Sequence, residues 1–251
     1  MKKTTLSILS ATSYFAMVYV NFLANSLPIN NRSTGEISDA YQNLFAPAGL
    51  TFSIWGLIYL LLGGFVVYQF IKKDQKTDEL ISKINPLFIL SSIANILWIF
   101  AWHYDYIGIS VLIMSTMLFL LIKIAGLVNK DKLTFPKNIL VRTPFSVYFG
   151  WITVATIANI TVFLVSLGWN GFGIADFIWT AIILVIGATI GIARINKDKN
   201  RAYGLVLVWA YSGILLKHLS VNGFQGQYPL VIITTIICLL SFLFFIFKRS
   251  N

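Results

Sequence analysis

Three stretches of this sequence carry side chains that could grip a ligand. In residues 46–64, Trp55, Tyr59 and Gly63 recur at i, i+4 and i+8, which puts two aromatic rings and a glycine on one face of a helix. Asn95, Trp98 and Trp102 stand at i, i+3 and i+7 on a second face, and Trp151, Ala155, Ala158 and Asn159 share a third. Indole and phenol rings offer flat apolar surfaces with one polar atom at the rim. A primary amide inside an apolar run offers both a donor and an acceptor. Brought together, these groups could close around a flat, mostly apolar molecule and orient it through a few polar anchors. The same residues also have a packing reading, in which Asn95 ties one helix to another while Gly63 and the alanines let backbones approach. At this level both readings stand.

Other chemistries find little support. No nucleophile is paired with a base, no two carboxylates are spaced for acid–base work, and no Cys/His cluster has metal-ligand spacing. Cys238 is the single cysteine and lies in an apolar run, where it reads as a small buried or lipid-facing residue. Trp102, His103, Tyr104 and Tyr106 cluster where an apolar run ends and read as an interfacial aromatic belt, with Asp105 solvated in the turn between runs. Asp176 opens another run, and Lys217 with His218 lies near the end of a later one.

The elements that must position these residues are set by composition. The chain has 251 residues, of which 57% are hydrophobic and 11% charged. A water-soluble domain of that length could not hide so much apolar surface, so the expected class is an all-α integral membrane protein. Eight apolar runs can be marked, at 5–26, 47–71, 85–103, 106–128, 145–167, 173–193, 202–221 and 227–247. Each is close to the ~20 residues of a spanning helix. The first follows Lys2 and Lys3 but is long and interrupted by Ser13, Tyr14 and Asn21, so it reads as a retained helix rather than a signal peptide.

The net charge of +10 is a topology signal. With both termini cytoplasmic, all 19 basic residues except Arg32 and Lys217 fall on the inner side, as the positive-inside rule expects. Anionic lipid is the natural partner of that surface, and nucleic acid is not, because no soluble basic domain is present to carry it. The longest outer segment, 27–46, contains Pro28, Asn30, Asn31, Glu36, Asp39 and Tyr41. It reads either as a lid over the bundle or as a solvated connector.

This set of motifs resembles the TspO/MBR family, the tryptophan-rich sensory or translocator proteins. Pro47, Trp55, Tyr59 and Gly63 match the family's second helix in spacing, with Gly56 and Leu62 in place of Thr and Met. Ala94, Asn95 and Trp98 match its third helix, and Trp151, Ala155, Thr156 and Asn159 its fifth. Tyr41, Leu44 and Pro47 are similar to an aromatic-x-x-Leu-x-x-Pro pattern in its first loop. The resemblance covers residues 1–167 and implies a five-helix bundle, followed by a three-helix extension over 168–251. It further implies a pocket between the first, second, third and fifth helices under the 27–46 loop. The ligand would be a porphyrin or another flat hydrophobic molecule, with no resident cofactor. Trp55, Tyr59, Asn95, Trp98, Trp102, Trp151, Asn159 and Tyr41 would be the ligand-binding residues. The resemblance also implies a bacterial-type cell membrane as the location and permits a homodimer.

The expected function is therefore a membrane-embedded binding or sensory protein for a tetrapyrrole-like ligand. The alternative is a small-solute transporter that uses all eight helices, a reading weakened by the shortage of central ionisable residues. Enzymatic porphyrin breakdown is implied by the resemblance alone.

Overall fold

A computed structural model describes residues 3–26, 29–130 and 133–248. Lys2, Pro28, Lys132 and Arg249, which entered the topology and loop readings, lie outside the described residues. The chain runs through α1 (Lys3–Ser26), a 3-10 turn (Ile29–Asn31), α2 (Thr34–Ala40) and a second 3-10 turn (Gly49–Ser53) that leads into α3 (Ile54–Tyr68). It continues through α4 (Gln75–His103) and α5 (Ile107–Val128). The single turn α6 (Phe135–Lys137) then passes through a π-helical turn (Asn138–Arg142) into α7 (Thr143–Ser166). The last helices are α8 (Asp176–Asp198), α9 (Arg201–Leu219) and α10 (Pro229–Phe247). Among the described residues eight segments are long and apolar enough to cross a bilayer, so the protein is an all-α, polytopic integral membrane protein.

The apolar runs underestimate two helices. α4 starts at Gln75 rather than 85, because Asp74 caps it: its Oδ1 accepts from the Thr77 N–H at 3.1 Å. The Asp74 carboxyl is held well below the usual carboxylate range, chiefly by the Lys137 ammonium and the Thr77 hydroxyl and N–H. The first turns of α4 are polar, so hydropathy alone could not see them. The fifth spanning segment likewise begins at Phe135 rather than 145, with Pro136 in its first turn, where a missing N–H costs little.

α4 packs against α1 and α5, α5 against α7, and α7 against α9, while α8, α9 and α10 pack on one another. Buried polar side chains tie the first group together. Gln69 donates to Ser10 Oγ at 3.0 Å and accepts from Asn85 at 2.8 Å, joining α1, α3 and α4. Gly63 accommodates a neighbour rather than a ligand. A Cβ there would lie 2.7 Å from the hydroxyl of Tyr14, which donates to the Tyr59 carbonyl at 2.8 Å. Leu60, Leu112 and Leu240 are exposed on the outside of the bundle, as residues facing hydrocarbon should be.

Candidate functional site

The segment after α1 is folded over the bundle and is not an open connector. α2 begins with a reciprocal cap in which the Ser33 N–H donates to Glu36 Oε2 at 2.6 Å and the Glu36 N–H donates to Ser33 Oγ at 3.3 Å. These Ser33 donors hold the Glu36 carboxyl below its ordinary range. α2 buries Thr34, Ile37 and Ser38 against the bundle. On one side it is held by the end of α4. Trp102 Nε1 donates to the Thr34 carbonyl at 3.2 Å, and Asn30 donates to the His103 carbonyl at 2.9 Å. The Ile29 carbonyl, 3.0 Å from His103 Nδ1, can only accept, so Nδ1 donates to it, and in the neutral ring the Thr34 hydroxyl, 3.2 Å away, donates to Nε2.

Two expectations are thereby corrected. Trp102 and His103 are buried under the loop rather than placed in an interfacial belt, whereas Tyr104 and Tyr106 are exposed. Asp105 is not merely solvated, because it pairs with Arg32 and accepts from the Tyr41 hydroxyl at 3.2 Å. Partial burial and the Asp105 carboxylate push the Tyr41 phenol up from its ordinary value.

The other side of the loop is held by α9. Lys217 Nζ pairs with Asp39 at 3.0 Å, and His218 Nε2 meets the Leu44 carbonyl at 2.9 Å. The Ala48 N–H donates to the Gly213 carbonyl at 3.0 Å, and Trp209 Nε1 donates to the Thr51 carbonyl at 2.9 Å. Gly213 is required at this crossing, since a Cβ there would stand 2.0 Å from Thr51 Oγ1. The loop that caps the first helices is therefore fastened by the last third of the chain.

Beneath this loop lies a largely apolar cavity with about 40 Å³ of free volume. Trp55 of α3, Trp98 and Trp102 of α4 and Trp151 of α7 wall it, with Asn159 behind them and Thr34 and Ser38 as its roof. The indoles brace one another: Trp98 stacks on Trp102 at 5.5 Å, and Trp55 meets Trp151 edge-on at 6.2 Å. Trp98 Nε1 donates to Asn159 Oδ1 at 3.0 Å, and the Asn159 amide donates to Ser110 Oγ at 2.8 Å. The Asn159 amide thus orients Trp98. Trp151 is different, because its buried indole N–H has no acceptor among the described residues.

The structure brings Trp55, Trp98, Trp102, Trp151 and Asn159 to one cavity and leaves the other three named residues outside its walls. Asn95 is wholly buried. It accepts from Asn21 at 2.6 Å and faces the Tyr148 hydroxyl at 3.4 Å, so its amide joins α1, α4 and α7. Tyr41 fastens the loop from outside. Tyr59 stacks on Trp55 at 5.6 Å and faces a second, open cleft of about 560 Å³ between α1 and α3. Its buried hydroxyl also lacks a partner among the described residues. Trp55, Phe52 and Thr34 line both spaces, so the Trp55 indole stands in the partition between them. α1 borders the cleft and not the closed cavity, whereas Met114 of α5 does reach the cavity.

Sequence reasoning missed the α9 contacts of Trp209, Gly213, Lys217 and His218. A basic residue near the end of the seventh run and an acidic residue in the outer loop, Lys217 and Asp39, were the available signal. Among the described residues no group of His, Cys, Asp or Glu could hold a metal ion. A family model described as TSPO-like protein matches residues 7–248, running past residue 167 and through the last three helices. No curated protein and no solved structure matches the chain.

Proposed function

The chain belongs to the TSPO-like protein family, and from that premise we propose that it is a membrane-embedded binding or sensory protein for a flat, mostly apolar ligand such as a porphyrin. The observation that carries this reading is the cavity walled by four indoles, one of which, Trp151, has a buried N–H with no acceptor among the described residues. Walls of this chemistry suit a planar molecule with an acceptor atom at its edge, once the space is enlarged. None of the residues lining it is ionisable, which favours binding over proton- or ion-coupled transport.

Size dictates how the site would be used. A free volume of about 40 Å³ admits a few waters and not a macrocycle. The neighbouring cleft of about 560 Å³ is separated from it by Trp55. In the ligand-bound form the Trp55 indole turns aside, the two spaces become one, and the ligand lies between Tyr59 and the remaining tryptophans.

The test is a protoporphyrin titration of detergent-purified protein, followed by tryptophan quenching, beside Trp55→Ala and Trp151→Phe variants. Saturable quenching in the parent protein, with weaker binding in Trp151→Phe, supports the site. Linear quenching of the same slope in all three proteins means partition into the micelle and rejects it.

A further inference from the structure

A different opening lies at the other end of the bundle, between α5 and α8. Residues of both helices line a groove between them, and α7 and α9 form its floor. The groove has about 340 Å³ of free volume. Leu118 and Ile122 of α5 form one wall and Ile190 of α8 the other, with the rings of Phe149 and Tyr203 below. The polar atoms of the floor are already used, since the Tyr203 hydroxyl donates to Thr153 Oγ1 at 3.3 Å.

The end of the groove is cationic. Arg194 and Lys197, in the last turns of α8, both line it. The Arg194 guanidinium lies 5.0 Å over the Phe149 ring and turns its Nε to Asp198 at 2.6 Å, and no hydrogen bond among the described residues occupies its Nη groups. Asp198 is a single carboxylate amid Arg194, Lys197 and Arg142, whose guanidinium donates to the Asp198 carbonyl at 2.6 Å. The mouth therefore keeps an excess of positive charge beside an apolar channel.

In an integral membrane protein this shape and charge select an amphiphile. Water does not fill an apolar groove within hydrocarbon, whereas an acyl chain does. Cations between helix ends hold an anionic headgroup, and a guanidinium can pair with two oxygens of one phosphate. We propose that the α5–α8 groove binds one anionic phospholipid from the bilayer, with an acyl chain between the two helices and its phosphate on Arg194 and Lys197. The lipid bridges α5, from the first group of helices, and α8, from the last.

The test uses the full chain, purified and stripped of lipid in a neutral detergent. Thermal unfolding is followed while phosphatidylglycerol, phosphatidylcholine or inorganic phosphate is added, and native mass spectrometry counts the lipids retained. Phosphatidylglycerol is expected to raise the melting temperature saturably, with one molecule retained. The half-saturating concentration should rise ~10-fold or more in Arg194→Gln and in Lys197→Gln. Ala193→Trp fills the groove without touching either charge, and should abolish retention. Lys83→Gln, a charge removed elsewhere at the basic end, should change nothing. If Arg194→Gln does not fold, Lys197→Gln and Ala193→Trp still decide the matter. Equal stabilisation by phosphatidylcholine, equal stabilisation by inorganic phosphate, or an unchanged response in the folded variants would each overturn the proposal.

Discussion

The Leu44 carbonyl oxygen and His218 Nε2 lie 2.9 Å apart although 174 residues separate them in the chain. A carbonyl only accepts, so His218 Nε2 carries a proton and donates it to Leu44. Its ring is packed against Phe224 at 4.7 Å. A side chain of α9 thus fixes the backbone of the loop that covers the tryptophan cavity, and the last three helices become part of the closure. His218→Phe keeps a ring in place but leaves the Leu44 carbonyl unpaired. It should lower the melting temperature and speed protease cleavage within residues 34–48, by an amount matching ~1–3 kcal/mol. Unchanged cleavage kinetics would mean that α9 does not hold the loop.

The contact between Gly213 and Thr51 is tighter. Because a Cβ at 213 would lie 2.0 Å from Thr51 Oγ1, Gly213→Ala should destabilise the protein by about 1–3 kcal/mol through overpacking. Adding Thr51→Ala should recover part of the loss, since the hydroxyl is the nearest obstacle. Two losses that simply add would argue against the contact.

Asn95 and Asn159 separate packing from recognition. Asn95→Leu removes the amide that joins Asn21 to Tyr148 and should lower the melting temperature while leaving the cavity walls in place. Asn159→Leu strands the buried Trp98 N–H, at a cost of about 1–3 kcal/mol, and also releases the ring from its orientation. Porphyrin affinity of folded protein should fall more in Asn159→Leu than in Asn95→Leu. The reverse order would move the ligand away from Trp98.

The Tyr41–Asp105 contact should be sensitive to alkali. The Tyr41 phenol is raised above its ordinary value of ~10, so its contribution to closure is complete below that pH and is lost as pH rises through the folded value. A phenolate there would face the Asp105 carboxylate. The dissociation rate of bound protoporphyrin should therefore rise at high pH with a component that is missing in Tyr41→Phe. Identical pH profiles in both proteins would show that this contact does not govern closure.

Much of this was readable from residue order, for reasons that differ by element. The eight spans follow from apolar runs about as long as a bilayer is thick, and Trp55, Trp98, Trp102 and Trp151 meet because helical spacing put each on an inward face. The early start of α4 was hidden because Asp74 and the polar turns after it carry no hydrophobic signal. Tyr59 and Asn95 share a helical face with cavity residues, yet Tyr59 faces the neighbouring cleft and Asn95 packs among helices. Spacing defines a stripe along a helix, and the partner helix decides which turn of the stripe meets open volume. The loop's attachment to α9 lies between residues more than 150 positions apart, as with Trp209 and Thr51, where no local pattern reaches.

Trp209, Gly213 and Lys217 stand four residues apart along α9, and all three meet the chain between Asp39 and Thr51. A single residue gained or lost between Asn200 and Trp209 would turn that face by ~100° and slide it by ~1.5 Å. Ser212 or Ile214 would then meet Thr51, and the ion pair and the imidazole would point elsewhere. The number of residues in this part of α9 is therefore as binding a constraint as their identity. A change of length in the turns at 167–175 or 220–228 would not rotate α9 itself, although in the second it would displace Phe224, which packs on the His218 ring.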